Sequence, residues 1–143
     1  MAIFFGLIGT ALVGAAGWFA TSFVAAPIRA FFDLRKDARR QFLVFDERET
    51  QVPFNEHGIE VSAQQRADTY LAAAKRELRE TGAKIVALGE SEQIAAQVLK
   101  LFGYDAILAG ENLMIAAETL GAWGPEGQAA RKQAEITLRL RKG

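Results

Sequence analysis

Cysteine is absent from this 143-residue chain, which excludes disulfides, thiolate nucleophiles and cysteine-ligated zinc or iron–sulfur sites. Histidine occurs once, at His57, so a serine nucleophile would have only that one imidazole as a base. Net charge is zero, with seventeen basic and seventeen acidic side chains. That balance denies the chain the dominant positive surface that nucleic-acid binding requires. There is no internal repeat and no low-complexity tract.

The charge that is present is unevenly placed. Residues 1–45 carry +3, residues 46–126 carry −7, and the tail from Gly127 carries +4. The pattern is a basic collar, an acidic body and a basic tail. The collar follows a long uncharged run. No charged side chain occurs from Ala2 to Ile28, and the run is rich in phenylalanine, isoleucine and leucine. As a helix it would extend about 40 Å, enough to cross a hydrocarbon core of about 30 Å with some tilt. A secretory signal peptide would want a charged start and a shorter apolar stretch, and Pro27 directly after Ala25-Ala26 makes a poor cleavage site. The sequence therefore predicts a single transmembrane helix over residues 1–28. Five Arg and Lys residues follow it and none precedes it, so the positive-inside rule puts the N-terminus outside and the C-terminus in the cytoplasm. Gly6, Thr10, Gly14, Gly17 and Thr21 recur at spacings of three and four. They form a small-residue face on which another transmembrane helix, from a larger membrane protein or a second copy, could pack closely.

Pro27 reads as a kink or as the first turn of a new helix. Beyond it Ile28, Phe31, Phe32, Arg35, Ala38, Phe42 and Phe45 recur at helical spacing, with Arg29, Lys36, Arg39 and Arg40 between them. This predicts a juxtamembrane amphipathic helix over residues 29–45. Arg29, Phe31, Phe32, Arg35, Lys36, Arg39 and Arg40 are then expected at the membrane surface, against anionic lipid headgroups. The alternatives are continuation of the anchor and packing on the chain's own helices. The segment Pro27-Ile28-Arg29-Ala30-Phe31-Phe32-Asp33-Leu34-Arg35, followed by Ala38-Arg39-Arg40 and later by Lys100-Leu101-Phe102-Gly103-Tyr104-Asp105, resembles a group of small, uncharacterised bacterial single-pass membrane proteins. The resemblance covers about half the chain and implies a bacterial inner membrane with an α-helical soluble part. It brings no activity, cofactor or site residue.

Residues 46–61, with Pro53, Asn55 and Gly58, read as a linker. Ser62 with Gln65 makes a capping-box pattern that opens a helix. Leu71, Ala74, Leu78, Thr81, Ile85 and Leu88 form a seam through Gly82, predicting one long helix to about Leu88, with Glu80 and Lys84 paired on its surface. Ser91 can cap a short helix facing inward through Ile94, Val98, Leu101 and Phe102, ended by Gly103. Ile107, Leu113, Met114, Ala117 and Leu120 form a further face closing near Gly121. Pro125 starts a last helix with Ala129, Gln133, Ile136 and Leu140 on its apolar side. Reading Ala83–Gly89 and Tyr104–Gly110 as strands of a βαβα unit leaves two strands with no means of covering their faces or edges. The expected fold is all-α: the anchor, the juxtamembrane helix, and a small cytoplasmic helical bundle or hairpin over residues 62–143.

Candidate chemistry is sparse. His57 with Glu56 and Glu60 lacks the rigid frame of a zinc site. Ser91 lacks the second glycine of a nucleophile elbow, and Gly103–Gly110 lacks the lysine of a phosphate loop. Glu77, Glu80, Glu90, Glu92, Glu111 and Glu118 read as solvated helix faces. Trp123 and Tyr104 read as covers of a small core. The expectation is a non-enzymatic accessory or structural membrane protein, without cofactor or metal, docked through its transmembrane helix. The alternative is a membrane-tethered adaptor or sensor whose acidic body binds a cytoplasmic partner.

Overall fold

The computed structural model describes residues 12–49, 61–121 and 125–140. Among these the chain is all-α, without strands. Helix α1 covers residues 12–20 and runs without a break through a π turn, Thr21–Ala25, into α2, Ala26–Glu49. Then follow α3 (Val61–Ser91), α4 (Gln93–Leu101), α5 (Ala106–Thr119) and α6 (Pro125–Thr137).

Pro27 neither breaks the helix nor starts a new one. A proline inside a helix lacks an N–H, and its ring crowds the carbonyl four residues back, here Phe23. Phe23 lies in the π turn, where the Ala26 N–H bonds to Thr21 O. The widened turn gives the ring room while the helix continues.

Contacts along the helices set their directions. On α3, Gly89 lies against Ala106 and Ile107 of α5, Gly82 against Gly110, and Leu71 against Gly121, so α3 and α5 are antiparallel. Gln41 Nε2 of α2 donates to Thr81 Oγ1 of α3 at 3.1 Å, and Arg35 reaches Leu138 just past α6. The outcome is an up-and-down arrangement of α2, α3, α5 and α6. The short α4 crosses between α3 and α5 at the end where α2 continues into α1.

The core is built largely from small side chains. Ala38, Ala74, Ala106, Ala109, Ala116, Ala117 and Ala134 are buried beside Phe31, Leu78, Ile85, Leu99, Leu113 and Leu138. Of the expected α3 seam, Ala74, Leu78, Thr81 and Ile85 are buried, and Leu71 and Leu88 are half-buried. Three expectations are corrected. Ser91 ends α3, and the residue before α4 is Glu92, which makes no side-chain cap. Helix α4 buries Ala95 and Leu99, leaving Ile94, Leu101 and Phe102 exposed. Helix α6 buries Ala134, and Leu138 just beyond it, rather than Ala129, Gln133 and Ile136. In both helices the buried side pairs an alanine with a leucine, Ala95 with Leu99 and Ala134 with Leu138, whereas pattern reading follows the larger apolar residues beside them. Helix α2 runs to Glu49 and α3 starts at Val61, so helix occupies both ends of the expected linker; residues 50–60, including His57, Glu56 and Glu60, lie outside the described residues.

Candidate membrane interface

The helical run Leu12–Val44 is long and apolar enough to cross a membrane, and only 6 % of its most apolar window is buried inside the chain. Such exposure is the reverse of a soluble core helix. Leu12, Val13, Trp18, Phe19 and Phe23 are all exposed, with the Phe23 ring 4.8 Å from that of Phe19 and 5.8 Å from that of Trp18. In the small-residue face, the helix's own backbone aside, no atom of the described residues lies within 4 Å of a Cβ built on Gly14 or Gly17. The Thr21 hydroxyl donates to Gly17 O at 2.8 Å, which satisfies its polar group within the helix itself. Gly6 and Thr10 lie outside the described residues.

The expected membrane-surface residues divide. Phe31 is fully buried, so it is not available to headgroups, and Phe32 is half-buried. Both rings sit 5.6 Å from Tyr104, edge-on. These rings are buried with Ala38 and Phe42 in the one core cluster, so this side of α2 packs on the chain's own helices. Arg35 is drawn into the same contact. Its Nε donates to Leu138 O and its Nη2 to Arg139 O, each at 2.7 Å. Arg29, Lys36, Arg39 and Arg40 remain exposed, Lys36 paired with Asp33 at 3.3 Å.

Two helix ends meet at this point. After α4 the Tyr104 N–H bonds to Leu99 O and the Gly103 N–H to Lys100 O, both 2.9 Å, with Gly103 at φ +78°. This is a Schellman closure, and glycine is the residue suited to its left-handed position. After α6 the same closure is made by Leu140 to Glu135 O and Arg139 to Ile136 O, but the left-handed residue is Arg139, at φ +49°. The arginine's side chain explains its use there. Arg139 Nη1 donates to Phe102 O at 3.1 Å, and its guanidinium lies 5.0 Å from the Tyr104 ring centre. The positive group thus completes the negative end of α4. The sequence marks Tyr104 as a cover of the core and Arg139 as a late cation suited to a helix C-terminus or to anionic lipid; nothing local to Arg139 signals a contact with a residue 37 positions earlier.

Asp105 fixes the next helix. Its Oδ1 accepts from the Leu108 N–H at 3.2 Å, an N-cap on α5, and its Oδ2 lies 3.3 Å from Lys100 Nζ. Burial pushes the Asp105 carboxyl up, but the Leu108 N–H and Lys100 more than offset this and hold it below the ordinary value of 3.8. Because the folded value is the lower one, the stabilisation is complete above 3.8 and is lost as pH falls through the folded value. Asp105→Ala is expected to cost about 1 kcal/mol. Thermal melts of the full chain in detergent should show the gap from the parent at neutral pH and its closure below the ordinary carboxylate range. A gap that persists unchanged at low pH would rule out this origin.

The surface groove between α2 and α3 gathers Asp37, Glu77 and Glu80 with Arg40 and Lys84. Lys84 Nζ bonds to Glu80 at 2.8 Å and lowers its pKa. A general acid at neutral pH needs the opposite shift. No group of three His, Asp or Glu residues poised for a metal occurs among the described residues. No protein-family model, curated protein or solved structure matches the chain.

Proposed function

We propose that the chain is a non-enzymatic accessory or structural protein of a membrane assembly, held in a bacterial inner membrane with its C-terminal body in the cytoplasm. The observation that carries this reading is the open small-residue face on the exposed apolar helix. Counting about 100° per residue and allowing for the extra residue of the π turn, Gly14 and Gly17 come out roughly half a turn away from Phe31. The small face therefore points away from the side on which α2 meets the bundle. A second transmembrane helix could approach there without displacing the chain's own helices. Lipid tails cannot match the dispersion contacts such an approach gives.

Purification in mild detergent with crosslinking tests this reading. A stoichiometric partner, whether another membrane protein or a second copy, is expected. Gly14→Leu should weaken the association by about tenfold, because the leucine side chain holds the two helix backbones apart. Ala16→Leu, the same kind of change on the far side of the helix, should leave it intact. Recovery of free monomer only, or equal effects from the two substitutions, would overturn the proposal.

A further inference from the structure

Helix α4 has two apolar sides. Ala95 and Leu99 face the core, while Leu101 is 86 % exposed, Phe102 65 % and Ile94 47 %. The exposed three lie together, since positions 94, 101 and 102 fall within about a third of a turn of one another around a helix. What covers them is indicated by where α4 sits. It packs against the π turn Thr21–Ala25, within the apolar helix itself. That turn lies about 6 to 12 Å along the helix from Arg29, the first charged residue. Amphipathic helices that lie in a bilayer boundary bury their apolar face to about 5–10 Å. With the apolar helix spanning the bilayer, this places α4 at the depth of the acyl boundary.

We infer that the outer face of α4, through Ile94, Leu101 and Phe102, is inserted in the acyl boundary of the leaflet next to the helical body, making a second membrane contact beside the spanning helix. The inference rests on the reading of the apolar helix as membrane-spanning. The turn that carries Leu101 and Phe102 is held from behind. Gly103 closes it, Arg139 takes the Phe102 carbonyl, and Lys100 is paired with Asp105. Two large apolar side chains are therefore presented on a fixed turn. Together with α1 this gives the body two points of attachment. It fixes the rotation of the bundle about the spanning helix as well as its height above the bilayer.

The absence of cysteine makes the test direct. Single variants Leu101→Cys, Val13→Cys and Glu77→Cys of the full chain are labelled with an environment-sensitive fluorophore. They are reconstituted into phosphatidylcholine–phosphatidylglycerol vesicles whose lipids carry a nitroxide near the top of the acyl chain. The label at position 101 is expected to be quenched at least about twofold more than the label at 77, as for a boundary helix, and the label at 13 is expected to respond to nitroxides placed deeper. Quenching at 13 with a water-like signal at 101 would overturn the α4 contact and leave the spanning helix standing. A label at 101 shielded from both water and nitroxide would mean a protein occupant and would also overturn it. A water-like signal at 13 would overturn the spanning helix, and with it the inference.

Discussion

Gly110→Ala is expected to destabilise the folded chain by about 3 kcal/mol, the upper end of what one added methyl costs in a packed core. A Cβ at Gly110 would lie 2.6 Å from Gly82 O, 2.7 Å from Val86 Cγ2 and 2.9 Å from the Val86 backbone nitrogen. Two of those three atoms are backbone, so no rotamer change relieves the contact and α3 and α5 must separate. Separation loosens the pair on which the rest of the core is built. Gly82→Ala should cost less, because its nearest neighbour is the flexible Met114 side chain at 2.7 Å, although Gly110 O at 2.8 Å still resists. Gly14→Ala supplies the contrast. Among the described residues nothing beyond the helix's own backbone lies within 4 Å of a Cβ there, and alanine is the better helix former by about 1 kcal/mol, so neutrality or a slight gain is expected. Chemical denaturation of the three full-length variants in detergent, followed by circular dichroism, gives the ranking. Equal midpoints for Gly110→Ala and Gly14→Ala would mean that α3 and α5 are not in backbone contact.

The same glycines mark the limit of what could be read from the sequence. Helix positions were legible because the helix-starting proline, glycine stops and the spacing of leucines are local, whereas Ser62 and Ser91, read as caps, lie inside α3. Val61–Ser91 was anticipated from Ser62 to Leu88 and the last helix from Pro125, and the Glu80–Lys84 pair stands where its spacing put it. The faces were less legible. In the sequence Gly82 is only a position that the long helix passes through, whereas it and Gly110 are where two backbones meet. A small residue carries almost no hydrophobic signal of its own, so Ala95, Ala134 and Gly110 were passed over in favour of Phe102 and Ile136. Their spacing held the available clue: Gly82 and Gly89 stand seven apart, and Ala106 and Gly110 four apart. The apolar side of α2 was recognised, but an amphipathic stripe gives no indication of whether lipid or protein covers it. Phe31, Ala38 and Phe42 found protein, while the exposed side of α4 was assigned to the core. Both reversals come from one cause. Periodicity identifies a face, and only tertiary structure supplies its neighbour.

Arg35→Ala is expected to cost about 2–3 kcal/mol and to act on one part of the fold. The guanidinium meets two carbonyls at 2.7 Å each: Leu138 O, among those a helix leaves unpaired at its C-terminus, and Arg139 O, on the left-handed residue that follows. A charged hydrogen bond contributes about 1.5–3 kcal/mol. The Arg139 carbonyl is exposed and can turn to water, so most of the loss falls on the partly buried one at Leu138. Arg35→Lys should recover less than half, because an ammonium is a point donor and cannot hold two carbonyls in a planar fork. The consequence should be local. Amide exchange should quicken at residues 134–140, where α6 ends, while the α3–α5 pair keeps its protection. Arg139→Gly separates backbone from side chain at the same place. Glycine relieves the left-handed conformation by about 1 kcal/mol but abandons the bond to Phe102 O and the stack on Tyr104, so a near-zero net change is expected. If Arg35 and Arg139 hold α2, the α4 turn and the end of α6 as one unit, the double variant will differ from the sum of the singles by at least about 0.5 kcal/mol. Strict additivity, with unchanged exchange at 134–140, would reduce the contact to two unrelated surface arginines.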